Sequence, residues 1–267
     1  MSMQGMAART HRMGRRLDDY KSCAFDGSQD YVDISGSASV FDFNNDPHSV
    51  SVWFKMPSAS SYEVLWSCTK AGSQYPRYWL SVRSSGELGF FGWGDVAGQY
   101  AFGGGAGETI GSGLDDDEWH NVVVAYNGSN VMKVYVDGGS PTTIAVANVA
   151  LDPDFVSIGA RILPSGITFP GLVRIFQLGV YDREVSAADV ANIYNYYGPA
   201  KGMNEKNFVS AAPKHYYRFG DGDNLLVTES PGVLKDYGTA GTPANGTEYN
   251  MDTDPASGSY VVKDDRP

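Results

Sequence analysis

The chain has 267 residues, 42% of them hydrophobic and 13% aromatic, which excludes a wholly disordered protein. Only 19% of the residues are charged, whereas there are 32 glycines and 17 tyrosines, a balance typical of short strands and many turns. The formal net charge of −11 excludes general affinity for nucleic acids or anionic membranes, since both require a cationic face.

The charge is unevenly distributed, because residues 1–21 form a basic arm on an acidic body. The arm carries five basic side chains against two aspartates, and the rest of the chain carries 15 basic against 29 acidic residues. The arm has no apolar run of signal-peptide length, and no stretch reaches the roughly 18 apolar residues of a membrane span. We therefore expect a protein made in the cytoplasm, without membrane insertion.

The two cysteines, Cys23 and Cys68, are too few for a secreted disulfide framework. A single bridge fits the sequence, but we favour two buried free thiols.

Short aromatic and β-branched runs separated by turn residues predict strands along most of the chain. In chain order these runs are 49–56, 63–68, 77–84, 88–91, 119–126, 131–138, 155–160 and 171–181. The turn at 127–130 predicts a hairpin in which Met132, Val134 and Val136 share one face. Many strands with scarcely any helix predict an all-β fold, an antiparallel two-sheet sandwich or jelly roll.

One helix is predicted, over residues 187–197. Ser186 can cap its N-terminus together with Asp189, and Val185 and Val190 are spaced as a hydrophobic staple. A helical apolar stripe follows, formed by Val190, Ile193, Tyr194 and Tyr197. Gly198-Pro199 ends the helix.

After the helix the composition changes to Pro, Gly, Asp, Asn and Thr, with one apolar run at 215–219. We interpret residues 199–267 as an extended appendage that packs on the sandwich or on neighbouring subunits. The predicted organisation is a basic arm (1–21), a jelly-roll domain (22–198) and this appendage.

No catalytic signature is present, so we predict a non-enzymatic protein. A glycosidase of this architecture needs two carboxylates facing one sugar ring, and the usual E-x-D-x-x-E run does not occur. The nucleophile-elbow, zinc-protease and P-loop motifs are also missing from the sequence. His120 lies inside a predicted strand, which favours a packed histidine over a catalytic base.

The acidic run 115–118 lies in a predicted loop. A solvated turn is the simplest interpretation, and a calcium loop formed by Asp115, Asp116 and Asp117 is the alternative, because Ca²⁺ takes several hard oxygens on a flexible backbone. Residues 221–224 begin like a calcium loop but lack its later ligands. No cofactor is required, and calcium is the one candidate.

Four aromatic residues are candidates for glycan binding: Trp93, Tyr75, Tyr78 and Tyr100. Sugars present apolar C–H faces, so aromatic planes with a few polar groups form a binding site. The glycines around Trp93 favour a loop position. Sandwich core or loop anchors are the alternative role for these rings.

Four segments, taken in order, resemble the laminin-G-like, concanavalin A-like jelly-roll family. They are FDGSQDYVDI (25–34), HSVSVWFKM (48–56), EWHNVVVAYNGSNVMKVYVDG (118–138) and LGVYDREVSAADVANIYN (178–195). The resemblance covers residues 22–197 and implies carbohydrate or protein adhesion, sometimes with calcium at the rim of the sandwich. It assigns no ligand position residue by residue.

The appendage resembles segments joined to such domains in structural proteins of marine bacteriophages and algal viruses, through HYYRFGDGDN (215–224), NGTEYNMD (245–252) and the closing DDRP. This resemblance implies a virion protein, either a head decoration, a minor capsid protein or a tail component, that displays an adhesive face to host surface polysaccharide. Contacts to other virion proteins and to further copies of the chain would involve Arg9, Arg12, Arg15 and Arg16. A stand-alone calcium-dependent lectin is the alternative, followed by a polysaccharide-degrading enzyme.

Overall fold

The computed structural model describes residues 21–72, 76–93, 100–102, 108–146, 152–197, 212–219, 233–251 and 261–263. The strands in the first half of the chain are β1 (Lys21–Asp26), β2 (Tyr31–Asp33), β3 (His48–Lys55), β4 (Glu63–Thr69), β5 (Pro76–Val82), β6 (Leu88–Trp93), β7 (Tyr100–Phe102), β8 (Glu108–Ile110), β9 (Trp119–Tyr126) and β10 (Val131–Val136). Those that follow are β11 (Thr142–Ala145), β12 (Phe155–Ile158), β13 (Arg161–Leu163), β14 (Gly166–Thr168), β15 (Leu172–Tyr181), β16 (His215–Arg218), β17 (Val233–Leu234), β18 (Gly246–Tyr249) and β19 (Val261–Lys263). A 3-10 segment spans Ser35–Phe41, and the helix α1 spans Ala187–Tyr197.

The strands form two antiparallel sheets and one separate hairpin. The first sheet has the order β11-β10-β9-β3-β15-β1-β19, with β16 also paired to β15. The second has the order β17-β18-β2-β12-β4-β5-β6-β7, with β8 also paired to β6, and β13 pairs only with β14. The predicted antiparallel two-sheet jelly roll is confirmed.

One large apolar cluster fills the space between the two sheets, and its burial is the main stabilising term of the fold. The predicted hairpin is β9–β10, and its Met132 and Val134 are buried in this cluster with Val136 at the margin. Cys23 and Cys68 are free thiols within the same cluster, as favoured from the sequence. Burial raises the pKa of both thiols, so they are held in the unreactive neutral form.

The helix α1 covers the outer face of the first sheet. The Ser186 Oγ accepts a hydrogen bond from the Asp189 N–H at 3.1 Å, and the Ser186 N–H donates to the Asp189 carboxylate at 3.3 Å, which confirms the predicted capping box. The buried apolar side chains of the helix in this contact are Val190 and Ile193, and Val185, which precedes the helix, is buried beside them. They pack on outward residues of the sheet, namely Val123, Ala125, Tyr135 and Tyr181. Among the residues described, no helix has the length and apolarity needed to cross a membrane.

The described part of residues 199–267 adds strands to both sheets. β16 pairs with β15 and β19 with β1, whereas β17 and β18 extend the second sheet beyond β2. Asp236 connects β16 with the segment before β18. Its carboxylate accepts hydrogen bonds from the His215 ring at 2.7 Å and from the Tyr216 and Ala244 N–H groups at 2.9 Å. Burial raises the pKa of Asp236, but these hydrogen bonds prevail and lower it. The domain boundary at residue 198 stays a prediction.

Glu248 is an acidic residue buried on β18, and its Oε1 has no hydrogen-bond partner among the residues that the structure describes. Burial raises the pKa of Glu248 from 4.5 to about 7. The folded protein therefore keeps a proton on this carboxyl group at pH values where the unfolded chain has lost it.

We expect stability to fall as the pH rises from 4.5 to 7, because across this interval the folded state binds a proton that the unfolded chain does not. The loss attributable to Glu248 reaches about 2–3 kcal/mol and is complete above the folded pKa. The free energy of unfolding, measured in urea, should change between pH 5 and pH 8 less in Glu248→Gln than in the wild type. The two changes should differ by about 2–3 kcal/mol. An unchanged pH dependence in the variant would show that Glu248 is already ionised in the fold.

Candidate functional site

A cleft of about 460 Å³ opens at one end of the sandwich, where β1 ends and β4 and β15 begin. One wall is the loop 60–62 that enters β4, and the other is the segment 169–172 that enters β15. The lining residues are Asp26, Gly27, Ser60, Ser61, Tyr62, Glu63, Phe169, Pro170 and Leu172.

The buried carboxylate of Glu63 joins the two walls. Its Oε1 accepts hydrogen bonds from the Ser60 N–H at 3.1 Å and the Ser60 hydroxyl at 3.3 Å, and its Oε2 accepts one from the Leu172 N–H at 2.7 Å. Because both oxygens already accept hydrogen bonds from the protein, Glu63 holds the cleft in shape and is poorly placed for acid–base chemistry.

Three aromatic rings meet at the wall of the cleft. The ring centroids of Trp79 and Phe169 are 5.0 Å apart, those of Tyr62 and Trp79 are 5.1 Å apart, and those of Tyr62 and Phe169 are 5.7 Å apart. Trp79 is buried beneath the other two, whereas Phe169 is 36% exposed. The site thus has a rigid aromatic base and one ring that faces solvent.

The backbone at Phe169 is in the left-handed region, with φ of 52°. A bulky side chain adopts this conformation at a cost of about 1–3 kcal/mol, so the surrounding structure holds Phe169 in place. Nearby, Gly171 crosses close to β4, because a Cβ there would lie 2.9 Å from the Val64 carbonyl oxygen. These two backbone features position the exposed ring at the mouth of the cleft.

Two arginines flank the aromatic rings. The guanidinium carbon of Arg83 lies 5.4 Å from the centroid of Tyr62, and that of Arg161 lies 5.7 Å from the centroid of Trp79. Burial lowers the pKa of Arg161. Cation–π contacts of this kind stiffen the aromatic base of the site.

The candidate aromatic residues have different positions in the structure. Tyr78 is fully buried in the core against Trp66, with ring centroids 5.0 Å apart, which corrects its assignment as a glycan-binding ring. Trp93 ends β6 and pairs in register with Tyr100 of β7, so its backbone lies in a strand rather than a loop. The side chains of Trp93 and Tyr100, and all of Tyr75, lie outside the described residues, and their glycan-binding role stays a prediction.

The carboxylates of the acidic run 115–118 diverge, as consecutive positions in a loop require. Their partners are the Ala59 N–H for Asp115 at 3.1 Å, the His120 ring for Asp116 at 3.1 Å and the Lys55 ammonium for Asp117 at 3.7 Å. No group of three or more His, Cys, Asp or Glu residues able to hold a metal ion occurs within the described ranges. Calcium binding here stays a prediction, as do the roles of the arm arginines and of residues 221–224, which are not described.

His120 bridges the acidic run and the hairpin. Its Nδ1 lies 2.8 Å from the Asp137 carboxylate, and its Nε2 lies 3.1 Å from that of Asp116. Burial of the ring lowers the pKa of His120, but the two carboxylates outweigh burial and raise it. Engagement at both nitrogens fits the structural role that the sequence favours for His120, and that role stays a prediction.

The fold and the cleft together define a lectin-like jelly-roll protein. Residues 26–191 match the family described as the concanavalin A-like lectin/glucanases superfamily, of laminin-G type. The chain belongs to this family, which confirms the resemblance found in the sequence. No curated protein sequence matches the chain.

Solved structures share the fold at low identity. A Bacteroides ovatus protein named "putative carbohydrate binding protein" is 16% identical with a TM-score of 0.57, over 92% of this chain and 60% of that one. This chain therefore spans less than two thirds of that protein. The CBM40 of the Ruminococcus gnavus IT-sialidase is 14% identical with a TM-score of 0.51, over 66% of this chain and all of that one. A second structure of this CBM40 is bound to α2,3-sialyllactose.

Tyr62, Trp79 and Phe169 were not among the residues predicted from the sequence. Trp79 and Tyr78 are adjacent aromatics in one strand, and nothing in the sequence says which of them faces the core. The one local signal for Phe169 is the Pro170-Gly171 turn pair that follows it.

We expect Glu63→Gln to destabilise the protein by about 1–3 kcal/mol, because the amide NH₂ would face N–H donors at one of the two walls. Urea unfolding measures this loss. Glu87→Gln is the matched control, since the Glu87 carboxylate accepts a hydrogen bond from the exposed Ser85 hydroxyl at 2.6 Å. This substitution should change stability by no more than about 0.5 kcal/mol. Equal effects of the two substitutions would show that Glu63 does not hold the walls together.

Proposed function

We propose that the protein binds carbohydrate in the cleft that Tyr62 and Phe169 line. The observation that carries this proposal is an exposed aromatic ring, held at the mouth of a cleft of about 460 Å³ that also presents the Ser60 and Ser61 side chains. This volume falls within the roughly 300–1,000 Å³ of small-ligand sites. A sugar stacks its C–H face on the ring while hydroxyl groups satisfy its polar edge. The carbohydrate-binding names of the two structural neighbours support this proposal.

The cleft suits binding without turnover. Glycoside hydrolysis needs one carboxyl group free to donate a proton and a second free to attack or to activate water. Both oxygens of Glu63 accept hydrogen bonds within the protein, and Asp26 Oδ1 accepts one from the Ser28 N–H at 2.7 Å. Because the family also includes glucanases, release of reducing ends from any bound polysaccharide would overturn the non-enzymatic proposal.

We further propose that the protein acts in a virion, as a head decoration, a minor capsid protein or a tail component. The basic arm on an acidic body supports this setting, and so does the resemblance of the appendage to segments of viral structural proteins. The protein should self-associate or capture capsid and tail proteins, and substitution of glutamine for four arginines of the arm should abolish both. These arginines are Arg9, Arg12, Arg15 and Arg16. A wild-type protein that stays monomeric and captures neither favours the alternative, a stand-alone lectin.

We expect Phe169→Gly to weaken glycan binding by about tenfold or more, because it removes the exposed ring. Glycine suits a φ of 52°, so the fold should be retained. Tyr249→Ala is the matched control, since Tyr249 is 39% exposed but lies on β18, away from the residues that line the cleft. The measurement is binding to a panel of cell-surface polysaccharides, with and without EDTA.

An equal loss of glycan binding in Phe169→Gly and Tyr249→Ala would show that the binding site is not the cleft. Binding that EDTA abolishes would instead direct attention to the acidic run 115–118.

A further inference from the structure

The cleft that Tyr62 and Phe169 line also holds two carboxylate groups. They belong to Asp26, the last residue of β1, and Glu63, the first residue of β4. The described residues that line the cleft include no Lys, Arg or His. The charged groups of this lining are therefore all anionic.

The negative charge of the Glu63 carboxylate has no cationic partner in the part of the chain that the structure describes. Glu63 is only 3% exposed, and its oxygens are held by neutral donors, namely the N–H groups of Ser60, Ser61 and Leu172 and the Ser60 hydroxyl. Such donors stabilise a carboxylate without cancelling its charge, and burial reduces the screening by water. Glu63 therefore gives the cleft a negative potential.

Asp26 offers a ligand an oxygen atom that the protein does not use. The residue is partly exposed, and its Oδ1 accepts a hydrogen bond from the Ser28 N–H at 2.7 Å. Its Oδ2 accepts no hydrogen bond from any described residue. Because Asp26 and Phe169 line the same cleft of about 460 Å³, one ligand can contact both the aromatic ring and this oxygen.

The two arginines that flank the aromatic rings do not balance these carboxylates. Arg83 faces the Tyr62 ring and donates a hydrogen bond to the Tyr62 hydroxyl at 3.4 Å, and Arg161 faces the ring of Trp79. Neither arginine is among the residues that line the cleft. The whole chain carries a net charge of −11, so its long-range field attracts cations and repels anions.

We propose that the ligand of the cleft is an oligosaccharide that carries a protonated amino group, such as an oligomer of glucosamine. This inference rests on the proposed function. One sugar ring stacks on Phe169, and the ammonium group donates a charge-assisted hydrogen bond to the Asp26 carboxylate. The negative potential from Glu63 strengthens the attraction, and it disfavours sugars that carry a carboxylate or sulfate group.

The test compares two sugar chains that share a backbone and differ in charge, glucosamine oligomers and their N-acetylated, neutral counterparts. We expect the protein to prefer the cationic oligomers by about tenfold or more, because they add a charge-assisted hydrogen bond. In the wild-type protein this preference should shrink as salt is added, and it should disappear when the pH is raised until the amino groups are neutral. α2,3-Sialyllactose should bind no more tightly than lactose.

Asp26→Asn should remove most of the preference for glucosamine oligomers. The amide oxygen of Asn can still accept the hydrogen bond from the Ser28 N–H, so the thermal unfolding temperature should stay close to that of the wild type. Asp182→Asn is the matched control, because it changes the net charge equally at a side chain that is 61% exposed and does not line the cleft. This control should keep the preference.

The other outcomes separate this inference from the proposed function. Equal binding of cationic and neutral oligomers, lost in Phe169→Gly, overturns the amino-sugar inference and keeps a glycan-binding cleft. The inference also fails if Asp26→Asn and Asp182→Asn reduce the preference equally, since the net charge of the protein would then account for it, or if sialyllactose binds more tightly than lactose. No binding to any probe or to the polysaccharide panel overturns the proposed function, and the inference with it.

Discussion

Each strand of this sandwich sends successive side chains to opposite faces, and the whole molecule depends on that alternation. On β3, Phe54 enters the core and Lys55 points away from it; on β15, Val173 and Ile175 enter the core on either side of Arg174. The inward residues form one continuous apolar cluster, which fixes the strands against each other. The outward residues are thereby held in fixed positions without contributing to that cluster.

The cleft is built from the loops that join the strands and from residues at the strand ends. Its two walls come from parts of the chain more than 100 residues apart, and the Glu63 carboxylate links them through hydrogen bonds to Ser60 and Leu172. The aromatic rings of Tyr62 and Phe169 contact each other across the same distance in sequence, so the shape of the cleft depends on the tertiary fold.

Eight of the nineteen described strands, the hairpin and the helix with its cap were predictable, because each depends on residues close in sequence. The free thiols followed from the low cysteine count. Ser186 and Asp189 are three positions apart, and the hairpin alternates with period two. The site was not predictable in the same way. In β5 the sequence shows two adjacent aromatics, and a shift of one residue decides that Tyr78 is core and Trp79 belongs to the site. Phe169 and Tyr62 are more than 100 residues apart in sequence, and their contact involves a close approach of the Gly171 backbone to β4.

The strands that follow α1 complete one edge of each sheet. β19 covers β1, the last core strand on its side of the first sheet, and β18 covers the corresponding edge of β2 in the second. A chain that ended at residue 198 would leave the hydrogen-bonding groups of both strands unpaired, and open edges of this kind pair with other chains. The strands beyond the helix thus cover one edge of each sheet and keep that edge from pairing with other chains.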